Sequence, residues 1–329
     1  MSKVNGFNYS KTDYIYIKEF KDNKWSEGRL EESDQITISA MSPALHYGQQ
    51  AFEGIKAYMN DNDEINLFRI KDNAKRFKTS CERLLMPTLT EDEFIEAIKT
   101  VVLANKKYIP KNNKNETLYI RPLMIGVGDK LGVGPANDYM FIIAVTPVGS
   151  YFKEINPIKV LTTNYDRASH NGTGDIKVGG NYAASLYALN EAKSNGYNDC
   201  LFLDPKTHTY IEEVGAANFF GITNDNKYYT PNSKSILKSI TNDSLKIIAK
   251  DYLNLEVIET DININDIGIF KEAGACGTGA LITPIGSITH NDKITYFKEH
   301  KLSMKLKEIL LDIQYGNLED KYNWIIKIN

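Results

Sequence analysis

Two short segments of this chain carry residues that can do chemistry together. Lys177 lies in DIKVGGNYAAS, and Glu213 lies further on in EEVGAANFFGI. A lysine beside two glycines at the mouth of a helix, followed by a carboxylate bounded by apolar residues, can bind pyridoxal phosphate as an imine. The lysine supplies the primary amine. The chemistry this points to is amino-group transfer. A loop lysine is more often a solvated surface charge, so the reading rests on the glycines and the second segment.

Regular elements must hold these side chains. The first 148 residues read as an α+β unit, with strand patterns at 14–20 and 36–40, then 55–59 and 65–69 joined across NDNDE as a hairpin. Two amphipathic helices follow. One puts Ala74, Phe77, Cys81 and Leu84 on a stripe; the other opens with a Thr90-x-x-Glu93 capping box and continues through Phe94, Ile98 and Val101. Their apolar faces need a sheet to cover. The runs LYIRPLMIGV at 118–127 and YMFIIAVTPV at 139–148, joined by GDKLGVGPAND, supply further strands.

Glycine and proline punctuate the chain around 149–157, and a polar loop at 164–174, expected to be mobile, precedes Lys177. We therefore divide the chain into a small N-terminal domain (1–148), a linker and loop (149–175) and a large C-terminal domain (176–329). A helix from about 182 to 194 puts Tyr182, Leu186 and Leu189 on one face and stops at Gly196 as its C′ residue. Short strands are expected at 199–204, 210–212 and 218–222. The segment ILKSIT leads into another helix, with Leu245, Ile248, Ala249 and Tyr252 at helical spacing and capping oxygens from Thr241 to Asp243.

Composition narrows the function classes. At 329 residues and 42% apolar content the chain can fill sizeable cores in about two domains. A net charge of -3 with scattered basic residues argues against nucleic acid or an anionic membrane as partner. The N-terminus has no apolar signal region and no long apolar run follows, so a cytoplasmic location is expected. Cys81, Cys200 and Cys276 are odd in number and far apart, which fits reduced thiols, and no His/Cys spacing supports a metal site.

Seven ordered blocks give these residues a context: LHYGQQAFEGIKAY, LFRIKDNAKRF, LYIRPLMIG, LGVG, KVGGNYAASL, EEVGAANFF and GACGTGALITPI, spanning about 36–290. With them the chain resembles the branched-chain amino acid aminotransferases of the class IV pyridoxal phosphate fold. The resemblance implies a two-domain α+β fold: a small N-terminal α/β domain, a larger C-terminal domain with a mixed-sheet, barrel-like core, and the cofactor at the domain interface. It also implies a homodimer whose sites borrow residues from the partner.

Residue by residue, the resemblance makes Lys177 the cofactor lysine and the carrier of a proton between the substrate α-carbon and the cofactor. Tyr182 matches the tyrosine that bonds the cofactor's phenolic oxygen, with packing on its helix face as the bland alternative. Glu213 matches the partner of the ring nitrogen, and neighbouring Glu212 is left as a solvated strand-end charge. Arg69, Ile240, Thr241 and Thr278 resemble the phosphate cup, although an ordinary N-cap competes for Thr241. The substrate α-carboxylate is assigned to the backbone of Thr278 and Gly279 and to Tyr119. The substrate side chain is assigned to Phe52 and Tyr151 with Tyr47 and Val133 of the partner. Arg121, costly in an apolar strand unless paired, matches the residue for the distal carboxylate of glutamate.

The implied function is transfer of the amino group of L-leucine, L-isoleucine and L-valine to 2-oxoglutarate. Small-molecule substrates are thus the expected partners. The rivals are a D-amino acid aminotransferase or aminodeoxychorismate lyase of the same fold, or a protein that binds pyridoxal phosphate without catalysis. The glycines of GVGDKLGVG do not follow the dinucleotide-binding order at a strand-to-helix junction, and read better as an intersubunit loop. No CxxC follows the GT pair after Cys276, so no thiol switch is expected.

Overall fold

The computed structural model describes residues 6–111, 116–149 and 157–329. Contacts divide the chain into two compact units: Met1–Ser150 with Ile176–Gly179 and Ile313–Asn329, and Tyr151–Asp175 with Gly180–Asp312. The lysine segment and the C-terminal tail therefore group with the first unit, which division in chain order at 176 does not anticipate.

In the first unit, strands β1 (Ile15–Lys21), β2 (Lys24–Trp25) and β3 (Arg29–Glu31) precede a short helix, α1 (Pro43–Tyr47). Then come β4 (Gln50–Phe52), β5 (Ile55–Met59), β6 (Ile65–Phe68), α2 (Ile70–Arg83), α3 (Glu91–Ala104), β7 (Thr117–Val127) and β8 (Asp138–Val148). The strand Ile325–Ile328 joins them in one sheet, pairing with β6, which leads through β5, β7, β8 and β1 to β2.

The expected strand at 36–40 is not formed. Local bonds bend the chain there instead: Ser39 Oγ accepts from Met41 N, and Ser39 O accepts from Ser42 N and Ser42 Oγ. The β5–β6 hairpin forms, ending at Phe68 because Arg69 turns to φ 50° and caps α2. The Thr90–Glu93 capping box forms in both directions. Phe77 of α2, Phe94 of α3 and Phe141 of β8 meet with ring centroids 5.2, 5.6 and 6.0 Å apart. Each such buried side chain contributes about 1.5–3 kcal/mol, and together they fasten α2 to the sheet.

The second unit runs β9 (Ile158–Thr162), α4 (Gly179–Ser194), β10 (Asp199–Leu203), β11 (Ile211–Val214), β12 (Ala217–Thr223) and β13 (Lys227–Thr230). It continues with α5 (Ile240–Leu253), β14 (Glu256–Glu259), β15 (Phe270–Gly277), β16 (Leu281–His290), β17 (Lys293–Tyr296) and α6 (Lys301–Tyr315). The neighbours β11-β10-β9-β16-β15-β12 form a chain of pairings, and β11 also pairs with β12, so six strands close on themselves. Leu201, Phe219, Ile285 and Ile288 belong to the core of this unit.

Two expectations in this unit are corrected. Helix α4 buries Asn181, Ala188 and Ala192 rather than Tyr182, Leu186 and Leu189, and Leu186 is 65% exposed. The small alanines let the helix lie close to Cys200 and Phe202, with Leu189 half-buried at the edge of that contact and Leu186 turned to the surface. Helix α5 is capped by Ser239, whose side chain accepts from Asn242 N, not by Thr241 to Asp243. Thr241 is buried in the first turn.

Candidate active site

In the first unit the Lys177 backbone is clamped on both sides. Phe52 N donates to Lys177 O at 3.1 Å, and Lys177 N donates to Ser80 Oγ of α2 at 3.0 Å. Strands β4 and β5 both pair with β7 and are separated by Glu53 and Gly54, with Glu53 N donating to Pro122 O at 2.8 Å. Only glycine fits at 54, because a Cβ there would lie 2.3 Å from the Tyr119 hydroxyl.

The Lys177 amine sits over the Phe52 ring, 4.8 Å from its centroid. Arg121 shares that ring at 4.8 Å and the Tyr119 ring at 5.1 Å, and its Nη2 donates to Tyr119 Oη at 3.0 Å. The buried Arg121 Nε has no hydrogen-bond partner among the described residues. Lys177 as a residue is half-buried, yet protein atoms crowd its amine. Burial, helped by the Arg76 charge and opposed by Glu53, pushes the amine down to about 8.

Arg69, half-buried, pairs through Nε with Asp72 Oδ2 at 2.7 Å and lies 5.4 Å from the Trp324 ring. Tyr47 is 43% exposed and donates to Leu131 O, while Val133 is 86% exposed. Tyr151 lies outside the described residues.

In the second unit Glu213 is buried on β11, opposite Asn218 of β12. Its Oε1 accepts from Asn218 Nδ2 at 3.1 Å and Leu237 N at 3.0 Å, and its Oε2 lies 2.9 Å from Arg167 Nε. That Nε–H is not aimed along the contact, so this pairing is ionic rather than a formed hydrogen bond. Arg167 is itself held by donation from Nη2 to the carbonyls of Gly174 and Ser235.

Glu212 is not a solvated charge. It is buried and accepts from Ser233 Oγ at 2.8 Å and Ser235 Oγ at 2.7 Å, and burial raises its carboxyl above the ordinary range. A four-residue strand inside a closed ring leaves neither of its two acids in water.

The segment that gives Leu237 N to Glu213 continues directly into α5, so Ile240 and Thr241 begin a helix just after the residue that bonds that carboxylate. Asn242 is buried and bonds Tyr228 and Thr230, a tie that holds the start of α5 to β13. Thr278 and Gly279 are half-buried in the turn between β15 and β16. Tyr182 is half-buried in the first turn of α4. Sequence reading missed Glu53, Arg76 and Arg167. An acid in the apolar run AFEGI was the one available signal, since Arg167 directly follows Asp166 and reads as half of a local surface pair.

Comparison with known proteins follows the same lines. The family profile for class IV amino-transferases matches residues 50–288. The chain belongs to the class IV aminotransferases. It is 50% identical to the branched-chain-amino-acid aminotransferase of Helicobacter pylori, covering 98% of this chain and 96% of that one. Identity to the Haemophilus influenzae enzyme of the same name is 49%, over 98% and 97%. Among solved structures, the T.th. branched-chain amino acid aminotransferase complexed with N-(5'-phosphopyridoxyl)-L-glutamate superposes with TM-score 0.83 at 30% identity, covering 97% of this chain and 99% of that one.

Class IV aminotransferases use pyridoxal phosphate. The residues present fit it: an amine with lowered proton affinity, a buried carboxylate ringed by donors, a helix start for phosphate, and an orphaned buried Arg121 donor for an anion. No group of His, Cys, Asp and Glu among the described residues could hold a metal ion. No helix among them is long and apolar enough to cross a membrane.

Proposed function

We propose that this transaminase moves the α-amino group of L-leucine, L-isoleucine and L-valine to 2-oxoglutarate, giving branched-chain 2-oxo acids and L-glutamate. The observation that carries the reading is the Lys177 amine, crowded over Phe52 and kept short of full protonation near neutral pH. When bound, pyridoxal phosphate supplies an aldehyde carbon that reacts with primary amines and a ring that accepts an electron pair.

The chain's residues do the rest. Lys177 would anchor the cofactor and, once released as a free amine, would carry the proton from the substrate α-carbon to the cofactor carbon that had borne the aldehyde. Glu213 holds a proton on the ring nitrogen. Tyr182 donates to the phenolic oxygen. The start of α5 at Ile240 and Thr241, with Arg69 and Thr278, binds the phosphate.

For the substrate, Thr278 and Gly279 with Tyr119 take the α-carboxylate, and Arg121 takes the distal carboxylate of glutamate. Phe52 and Tyr151, with Tyr47 and Val133 of a second copy, surround the aliphatic side chain. Leu45, Tyr47, Leu131 and Val133 are exposed large hydrophobics of the first unit, which supports a homodimer that covers them. Three buried free cysteines suit the cytoplasm.

The test is an amino-donor screen against 2-oxoglutarate with purified protein and added cofactor. Leucine, isoleucine and valine should lead, and Lys177→Ala should abolish transfer. Leucine added without an oxo acid should consume the cofactor's aldehyde absorption in one equivalent. A protein that merely stores the cofactor shows no such change.

A further inference from the structure

One face of α2 is committed to the lysine and its surroundings. Asn73, Arg76 and Ser80 recur at helical spacing, and all three point into the same cluster. Ser80 receives the Lys177 N–H at 3.0 Å. Arg76 grips Glu53 as a fork, Nε to Oε1 at 2.7 Å and Nη2 to Oε2 at 2.8 Å, and Asn73 Nδ2 adds a bond to Oε2 at 2.8 Å.

Glu53 is fully buried. Burial alone would raise its carboxyl, but the Arg76 charge and hydrogen bonds, then the Lys177 charge, hold it below the ordinary range. A buried ion pair is no more stabilising than apolar side chains of the same volume, so its presence here calls for another purpose.

We propose that Glu53 and Arg76 are positioning residues for Lys177, a balanced pair on the face of α2 that sets the charge state of the neighbouring amine while Ser80 and Phe52 fix its backbone. The charged and titratable groups facing that amine come from three places: Arg76 from α2, Glu53 from the break between β4 and β5, and Tyr119 and Arg121 from β7. The two arginines drive its proton off; the Glu53 carboxylate holds it on. Removing Arg76 while Glu53 stays charged must therefore tighten the proton. Removing Glu53 must loosen it.

The proposal rests on Lys177 as the cofactor lysine, but its test reads the amine directly. The full-length chain, freed of cofactor, is acetylated with trace labelled acetic anhydride across a pH series, and the Lys177 peptide is quantified by mass spectrometry. Wild type should half-titrate near pH 8, Arg76→Gln about one pH unit higher and Glu53→Gln about one lower. Arg76→Lys, which restores the charge, should return toward wild type. A variant too unstable to fold is measured in sucrose, which favours the compact state.

Single variants that titrate like wild type, or that move in the same direction, overturn the proposal. So does a wild-type amine titrating at the ordinary 10.5. Failure of the functional reading is a different result: full transfer by Lys177→Ala would end that reading and leave the labelling curves untouched.

Discussion

Arg167 and Glu213 face each other inside the second unit with 2.9 Å between Nε and Oε2, and both side chains are almost wholly buried. The carboxylate we propose as partner of the ring nitrogen is thus steadied from a loop that looks featureless in the sequence. The loop is fastened in turn, since Arg167 also donates to the Gly174 and Ser235 carbonyls.

Replacing Arg167 by Met takes away the cation beside the buried Glu213. Loss of one partner of a buried pair costs about 3–5 kcal/mol. Urea unfolding of the full chain should register that loss, and a change within about 0.5 kcal/mol would mean that the pair contributes nothing.

Arg121 offers a buried Nε with no partner of its own among the described residues. Arg121→Met should lower kcat/KM for glutamate by about 10- to 100-fold, the worth of a hydrogen bond to a charged group. Leucine should suffer far less. Equal losses for the two donors would remove the argument that one pocket serves both side chains.

Gly54 gives way to the Tyr119 hydroxyl, so Gly54→Ala must displace it. That movement breaks the 3.0 Å bond to Arg121. We expect KM to rise about tenfold for leucine and glutamate alike, since misplaced contacts of this kind cost at least that much. Tyr119→Phe should reproduce the effect, and an unchanged KM in the alanine variant would show that the hydroxyl has room to move.

Burial pushes the Asp199 carboxyl up from 3.8 to about 6, although Cys200 N donates to it at 2.8 Å. Between those values the folded chain holds more protons than the unfolded one, so stability is lost as pH rises through that window and is level above it. Asp199→Asn keeps an acceptor for Cys200 N and removes the charge. It should be more stable than wild type at pH 7.5 by up to about 3 kcal/mol, with the gap closing near pH 4. A gap that ignores pH would refute this.

Long periodic elements were legible in the sequence, and contacts between distant residues were not. The capping box at Thr90 and the β5–β6 hairpin announce themselves because their bonds join near neighbours. Helix α4 misled, since pattern reading weighs large apolar residues while close packing on Cys200 and Phe202 selected alanines. Lys177 and Glu213 stand out through their glycine and apolar settings. Arg76 and Arg167 do not, because their meaning depends on Glu53 and Glu213, which only the folded chain brings to them. Glu212 was misjudged for the same reason: its serines lie beyond the next two strands.

The closed ring has a consequence for how the protein is born. Its closing contact runs between β9 and β16, where Ile158 meets Ile285, so the last stave is synthesised long after the first. Non-local pairing of this sort is slow. With Glu213 of β11 as the proposed ring-nitrogen partner, a ribosome-bound or freshly diluted chain should recover helices early and hold vitamin B6 only once the hoop is complete. In refolding, cofactor fluorescence should lag far-ultraviolet dichroism.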